Sequence, residues 1–150
     1  MKNIKPKLIK LFKEGYCTPQ IARIAKKIDE PSTTIHYNIK SLEKEGAIKT
    51  YKAVFNYKKI EEGFCAYILI DLSFSEYRNP ERVANELAKH KEVESVDIIA
   101  GEWDMIVKVR TKDQDEYYDF LKVLFGGETG LQQTKSLISV KQFKTEFVSL

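Results

Sequence analysis

The segment between Pro31 and Gly46 carries hydroxyl, imidazole, phenol and ammonium groups at the spacing of a helix. At about 100° per residue, three apolar residues share one side of that helix: Ile35, Ile39 and Leu42. Four polar residues share the opposite side, with a histidine on its flank: Thr33, Tyr37, Lys40, Lys44 and His36. An apolar side for packing and a polar side for contact suit a helix that lies in the major groove of DNA. These residues therefore predict a DNA recognition helix.

The polar residues of this helix divide into two chemical roles. Hydroxyl, imidazole and phenol groups in its N-terminal half should reach base edges: Ser32, Thr33, His36 and Tyr37. Lys40 and Lys44 should contact phosphates, which position a helix without reading sequence. Residues 32–44 contain no arginine, the residue that most often contacts guanine, so we expect weak direct readout supplemented by DNA shape. The alternative interpretation of each lysine is a solvated surface residue.

Two helical segments precede the recognition helix. Apolar residues recur at helical spacing in Pro6–Glu14, and Gly15 ends the pattern. Thr18-Pro19 is expected to open the second helix, because threonine can cap it and proline fits its first turn. Its apolar stripe is Ile21, Ile24, Ala25 and Ile28. Three short helices with a tight turn between the second and the third predict a helix-turn-helix.

The pattern changes after the third helix. Ala47–Tyr57 is rich in strand formers and predicts a strand or short hairpin, which would make the helix-turn-helix winged in type. A connector, Lys58–Gly63, follows. We therefore expect a helix-turn-helix domain over residues 1–50, a β linker over 51–63 and a second domain over 64–150.

The second half of the chain alternates between strand and helix patterns. Four strands are predicted: Phe64–Leu72, Val93–Ala100, Asp104–Arg110 and Leu131–Val140. One helix should begin at Asn79-Pro80 and run to about His90, and another should be capped by Asp113 with Glu116 and end at Gly126-Gly127. The order βαββαβ predicts a ferredoxin-like sandwich, so the whole chain is expected to be α+β. A second copy is expected to cover the sheet face that the helices leave open, which gives a homodimer.

Composition limits the classes of function. Residues 1–60 carry 14 Lys and Arg against 5 Asp and Glu, a net charge of +9, whereas residues 61–150 carry 11 against 17, a net of −6. A basic module facing a polyanion fits this asymmetry. With two distant cysteines and two histidines, we expect no metal site, no cofactor and no enzyme. Short apolar runs and an N-terminus unlike a signal peptide predict a cytoplasmic protein without a membrane segment.

Four segments follow one another along nearly the whole chain: residues 21–25, 39–48, 101–104 and 130–136. Together they resemble the Lrp/AsnC (feast/famine) transcriptional regulators. The first is Ile21-Ala22-Arg23-Ile24-Ala25, and the second, Ile39–Ile48, is similar to the family's R-I-x-x-L-E-x-x-G-x-I run. The third, Gly101–Asp104, looks like the family's G-x-Y-D turn, with Trp103 in place of tyrosine. The fourth, Gly130–Ser136, looks like its G-V-x-x-T-x-T run.

The resemblance implies a sequence-specific regulator of double-stranded DNA that dimerises and assembles further, to a tetramer or octamer. It implies that the second domain is of the RAM type and binds a small effector, commonly an amino acid, between dimers. Carried over residue by residue, the effector site would comprise Gly101, Glu102, Trp103, Asp104, Thr134 and Ser136. Effector binding would change the assembly, and DNA and effector would then alter each other's affinity by the same factor.

Two other functions fit parts of the sequence. A DNA architectural protein without an effector would share the basic helix-turn-helix. An enzyme like the siroheme decarboxylases, which look like this family, would need histidine and arginine around a tetrapyrrole in the second domain. That domain offers only His90 and three scattered arginines. An RNA-binding module is disfavoured, because the last predicted strand lacks an aromatic pair and the domain is acidic.

Overall fold

The computed structural model describes residues 3–127 and 130–146. The chain divides into two compact units, an N-terminal unit, Met1–Val54, and a C-terminal unit, Phe55–Leu150. Among the described residues, no helix is both long and apolar enough to cross a membrane.

The N-terminal unit contains three helices, α1 (Lys5–Glu14), α2 (Ile21–Ile28) and α3 (Ser32–Lys44). Among the described residues of this unit's three helices, Ile35 on α3 is the one that is buried. The turn from α2 to α3 passes through Asp29 at φ 56°, a left-handed conformation that aspartate tolerates better than most residues. The three predicted helices are therefore confirmed.

The predicted start of α2 is wrong. Thr18 does not cap this helix: the capping position is Gln20, whose side chain makes no capping hydrogen bond, and the helix begins at Ile21. Backbone contacts organise the start instead, since the amides of Arg23 and Ile24 both donate to the carbonyl of Gln20.

The strand or hairpin predicted for Ala47–Tyr57 is also wrong within the described chain. Residues 49–56 form no ladder, and a 3₁₀ helix, Tyr57–Ile60, follows. Strand formers need a neighbouring strand to accept their backbone hydrogen bonds. The four strands of the described sheet all lie between Phe64 and Ile138, and none pairs with this segment. The prediction of a winged helix-turn-helix rested on this strand, which the described residues do not form.

The C-terminal unit has the predicted βαββαβ order. Its elements are β1 (Phe64–Leu72), α4 (Pro80–Leu87), β2 (Val93–Ile98), β3 (Met105–Thr111), α5 (Gln114–Gly127) and β4 (Leu131–Ile138). The strands form one antiparallel sheet in the order β2-β3-β1-β4. The predicted cap of α5 is present, because the Asp113 carboxylate accepts the Glu116 amide at 2.9 Å and Glu116 accepts the Lys112 amide at 2.6 Å.

Both helices of this unit pack on one face of the sheet. Alternate residues of β1 and β3 point toward them and are fully buried: Ala66, Ile68, Ile70, Met105, Val107 and Val109. Val83 and Leu87 of α4 and Phe120 of α5 join the same core. The residues between them point to the opposite face of the sheet, here called the outer face.

The outer face has an apolar centre with charged surroundings. Tyr67, Leu69 and Ile106 are half-buried there, and Leu137 is exposed. Lys108, Arg110 and Glu94 form ion pairs at one end of the face. None of the described helices covers these four side chains.

Candidate DNA interface and effector turn

Helix α3 presents the predicted polar residues to solvent. Ile35 is buried and Ile39 half-buried on its inner side, although Leu42 remains partly exposed. All six residues predicted to contact DNA are exposed: Ser32, Thr33, His36, Tyr37, Lys40 and Lys44. Tyr37 is 75% exposed, so its ring and its hydroxyl are both accessible to a binding partner. The structure thus places the six residues on one accessible helix.

A small polar network lies on the C-terminal half of α3. Lys40 Nζ lies 2.7 Å from Glu43 Oε2, and the Tyr51 hydroxyl donates to Glu43 Oε1 at 3.1 Å. The hydrogen bond from Lys40, followed by that from Tyr51, lowers the pKa of Glu43, and the same contact raises the pKa of Lys40. Both groups therefore stay charged around neutral pH. Sequence reasoning assigned Lys40 to a phosphate but missed Glu43, although the i,i+3 spacing signals such a pair.

Replacing Glu43 by glutamine is expected to release Lys40 for phosphate contact. Since exposed ion pairs are weak, we expect affinity for DNA at low salt to rise by only about two- to fivefold. The slope of log affinity against log salt should steepen by about one unit. Glu45→Gln is the matched control, because it removes the same charge near the same helix end while Glu45 contacts only Ser41 among its described hydrogen bonds. Equal effects of both variants in a salt titration would contradict a specific role for Glu43.

The turn between β2 and β3 carries the four residues of the predicted effector site. The Ile99 amide donates to the Asp104 carbonyl at 2.9 Å, which closes the turn, and the Asp104 amide donates to Ile70 O at 3.0 Å. Gly101 and Glu102 are exposed, whereas Trp103 and Asp104 are half-buried. The turn therefore offers accessible backbone next to a fixed carboxylate.

Asp104 forms a carboxyl pair with Asp71. Asp104 Oδ2 accepts the Leu72 amide at 2.8 Å, which anchors its side chain on β1. Loss of solvent contact, a hydrogen bond to Asp104 and repulsion from its charge raise the pKa of Asp71. A cation placed between the two carboxylates would relieve that repulsion, so the pair is suited to an ammonium group.

Thr134 and Ser136 do not join this turn within one chain. Thr134 pairs with Ile70 and Ser136 with Ile68, so both point toward the helices, as those buried partners do. Ser136 Oγ lies 2.7 Å from the Tyr117 hydroxyl on α5. Asp71 points to the outer face instead. Sequence reasoning could not separate the two sets, because the face of each residue depends on the register of the sheet.

A metal centre would need cysteine, histidine or acidic side chains close together. Cys17 is half-buried and Cys65 is buried, and both thiols are free. Within residues 3–127 and 130–146, no three His, Cys, Asp or Glu side chains gather in a group able to hold a metal ion.

Known proteins resemble the chain in sequence. The profile of the Lrp/AsnC ligand binding domain matches residues 65–148. An uncharacterized HTH-type transcriptional regulator of Pyrococcus abyssi is 37% identical over 126 residues, which cover 84% of each protein. HTH-type transcriptional regulator FL11 of Pyrococcus horikoshii is 32% identical over 141 residues, which cover 94% of this chain and 90% of the relative.

A solved structure shares the fold. A transcriptional regulator from Neisseria meningitidis, crystallised in complex with L-methionine, superposes with a TM-score of 0.73 at 19% identity. The superposition covers 97% of this chain and 93% of that one. The shared architecture spans both the helical region and the sheet.

Proposed function

We propose a function for this chain from its family, since it belongs to the Lrp/AsnC family of HTH-type transcriptional regulators. In this proposal it binds specific DNA sequences under the control of a small effector. The observation that carries the DNA part of the proposal is the exposed polar side of α3. All six side chains predicted to contact DNA are accessible there. They belong to a segment, residues 1–60, whose net charge is +9. Positive charge supplies affinity, and hydroxyl, imidazole and phenol groups read bases.

The proposed acting form is a homodimer, which assembles further to a tetramer or octamer. The uncovered apolar residues of the outer face, with Leu69 and Ile106 at its centre, support this part of the proposal. Two recognition helices related by a two-fold axis would read two half-sites, so dimerisation and operator affinity are coupled.

The proposed effector is an amino acid held at the turn Gly101–Asp104. Exposed backbone at Gly101 and Glu102 would meet the α-carboxylate, and Asp71 with Asp104 would hold the α-ammonium. The L-methionine complex of the Neisseria meningitidis regulator supports an amino acid as the ligand class. Binding at a contact between dimers would favour one assembly over another, which changes the spacing of the recognition helices.

The first test is binding to the DNA upstream of the protein's own gene, compared with bulk DNA, in a salt titration. We expect a specific complex that weakens steeply as salt is added. In a plot of log affinity against log salt concentration, the slope should be about −1 for each phosphate contact. Binding no tighter than to bulk DNA would contradict sequence-specific regulation and favour an architectural role.

The effector part is tested by repeating the titration with the twenty amino acids and then with methionine and N-acetylmethionine. The acetyl group removes the ammonium charge, so the acetylated compound should fail where an amino acid acts. Because the pKa of Asp71 is raised, effector affinity should fall as pH drops through that pKa and the carboxyl pair gains a proton. A DNA affinity and an assembly size that no amino acid changes would contradict the effector.

A further inference from the structure

Arg110 is a buried cation at the opposite end of β3 from the effector turn. Its side chain is only 6% exposed. Arg110 Nε donates to Glu94 Oε2 at 2.7 Å, and its guanidinium carbon lies 3.6 Å from the centre of the Tyr57 ring. Glu94 also accepts Lys108 Nζ at 2.7 Å. Two cations therefore share one carboxylate, which leaves a net positive charge on this cluster.

Two hydrogen-bond donors in this cluster have no acceptor among the described residues. Arg110 Nη1 donates to Gln142 Oε1 at 3.2 Å, but Arg110 Nη2 and Gln142 Nε2 are both buried without a hydrogen-bond partner. Buried donors are normally satisfied, and a guanidinium is most strongly satisfied by an oxyanion that accepts two of its hydrogens. A neutral amide oxygen at 3.2 Å is a poor substitute for such an acceptor.

The segment Ser139–Glu146, here called the strap, covers Arg110. The Ser139 amide donates to Cys65 O at 2.9 Å, and Gln142 reaches Arg110. Val140 and Phe143 are 96% and 88% exposed, so they add no packing. Beneath the strap lies Cys65, which is 1% exposed although it belongs to the outer face. A cover attached by few contacts can open locally without unfolding the sheet.

We propose that the strap is a displaceable cover over an oxyanion site, in which a carboxylate or phosphate takes the place of the Gln142 side chain on Arg110. Opening removes Gln142 Nε2 from its buried position and frees Arg110 Nη1 and Nη2 together. A planar guanidinium stacked on Tyr57 then presents two parallel donors to the anion. The net positive charge of Arg110, Lys108 and Glu94 favours an anionic ligand over water. This site is separate from the effector turn and does not depend on it.

Cys65 reports on the strap because the strap covers its thiol. Since a partner on the outer face would also limit access, the assembly is measured in each salt by analytical ultracentrifugation. The experiment uses the full chain with Cys17→Ser and measures the rate of N-ethylmaleimide labelling by mass spectrometry. Sodium formate, sodium phosphate and sodium chloride are compared at equal ionic strength. We expect formate or phosphate to accelerate labelling about fivefold with saturation, since a ligand that binds the open form raises its population. Acceleration by formate alone assigns a carboxylate ligand, and acceleration by phosphate alone assigns a phosphate.

Gln142→Glu tests the same site without a ligand. The substitution removes the Gln142 Nε2 donor, which has no partner among the described residues. The new carboxylate can accept hydrogen bonds from both Arg110 Nη1 and Arg110 Nη2, so the strap should close more tightly. Labelling should slow by about tenfold and lose its response to oxyanions. Gln132→Glu adds the same charge at an exposed position of β4 and should change neither property. Equal labelling in all three salts, or unchanged labelling in Gln142→Glu, would overturn the proposal.

Discussion

Replacing Tyr37 by alanine is expected to weaken binding to operator DNA by about 5- to 150-fold, which corresponds to one lost base contact. Binding to bulk DNA should change little, because the lysines proposed to contact phosphates remain. The side chain is 75% exposed and its loss leaves Ile35 and the packing of α3 in place. The measurement is a competition of labelled operator against bulk DNA at fixed salt.

Tyr16→Ala is the matched control for this experiment. Tyr16 lies in the same unit, is 68% exposed and stands outside all three helices. Its removal should leave both affinities unchanged, and both variants should melt at nearly the temperature of the parent protein. If operator and bulk affinities fall in parallel in Tyr37→Ala, Tyr37 is a backbone contact and base reading must lie elsewhere on α3.

The periodicity of apolar residues predicted which helices and strands form better than it predicted where they begin and end or which segments pair. The apolar run Phe64–Leu72 coincides with β1, because a strand buried on one face and half-buried on the other leaves few polar positions. Local propensity failed at Ala47–Tyr57, where strand formers stand without a strand to pair with. It also failed at Thr18, where a good capping residue lies three positions before the start of the helix. Both errors come from long-range or backbone interactions that local sequence does not encode.

The candidate sites were predictable to different extents. The exposed side of α3 followed from helical spacing, since the apolar residues fix which way the helix faces. The separation of Ser136 from Asp104 depends on the register of β4 against β1, and a shift by one residue would have put Ser136 on the outer face. The pairing of Asp71 with Asp104 and of Gln142 with Arg110 joins residues 33 and 32 positions apart in sequence, which only the folded sheet brings together.

Replacing Leu69 by aspartate is expected to dissociate the proposed homodimer and to weaken operator binding by at least about 100-fold. Leu69 is half-buried at the centre of the outer face, where it pairs with Ile106 and Lys135 and lies outside the core under the helices. A carboxylate at that position would lose its hydration in a dimer, which costs several kcal/mol even beside Lys135. In the free chain it would remain partly solvated, so the fold should survive. Analytical ultracentrifugation reports the assembly, and DNA titration reports the coupled loss of two-site binding.

Val123→Asp is the control for Leu69→Asp. It distinguishes an effect of the position on the outer face from a general effect of one added negative charge. Val123 is exposed on α5, in the layer on the other side of the sheet, and the substitution introduces the same carboxylate. The Val123→Asp protein should remain a dimer at concentrations where the Leu69→Asp protein sediments as a single chain. Circular dichroism should show unchanged secondary structure in both variants, because neither side chain belongs to the core cluster. A Leu69→Asp protein that still dimerises and binds operator with parent affinity would place the dimer contact on another surface, and the apolar centre of the sheet would then need a different partner.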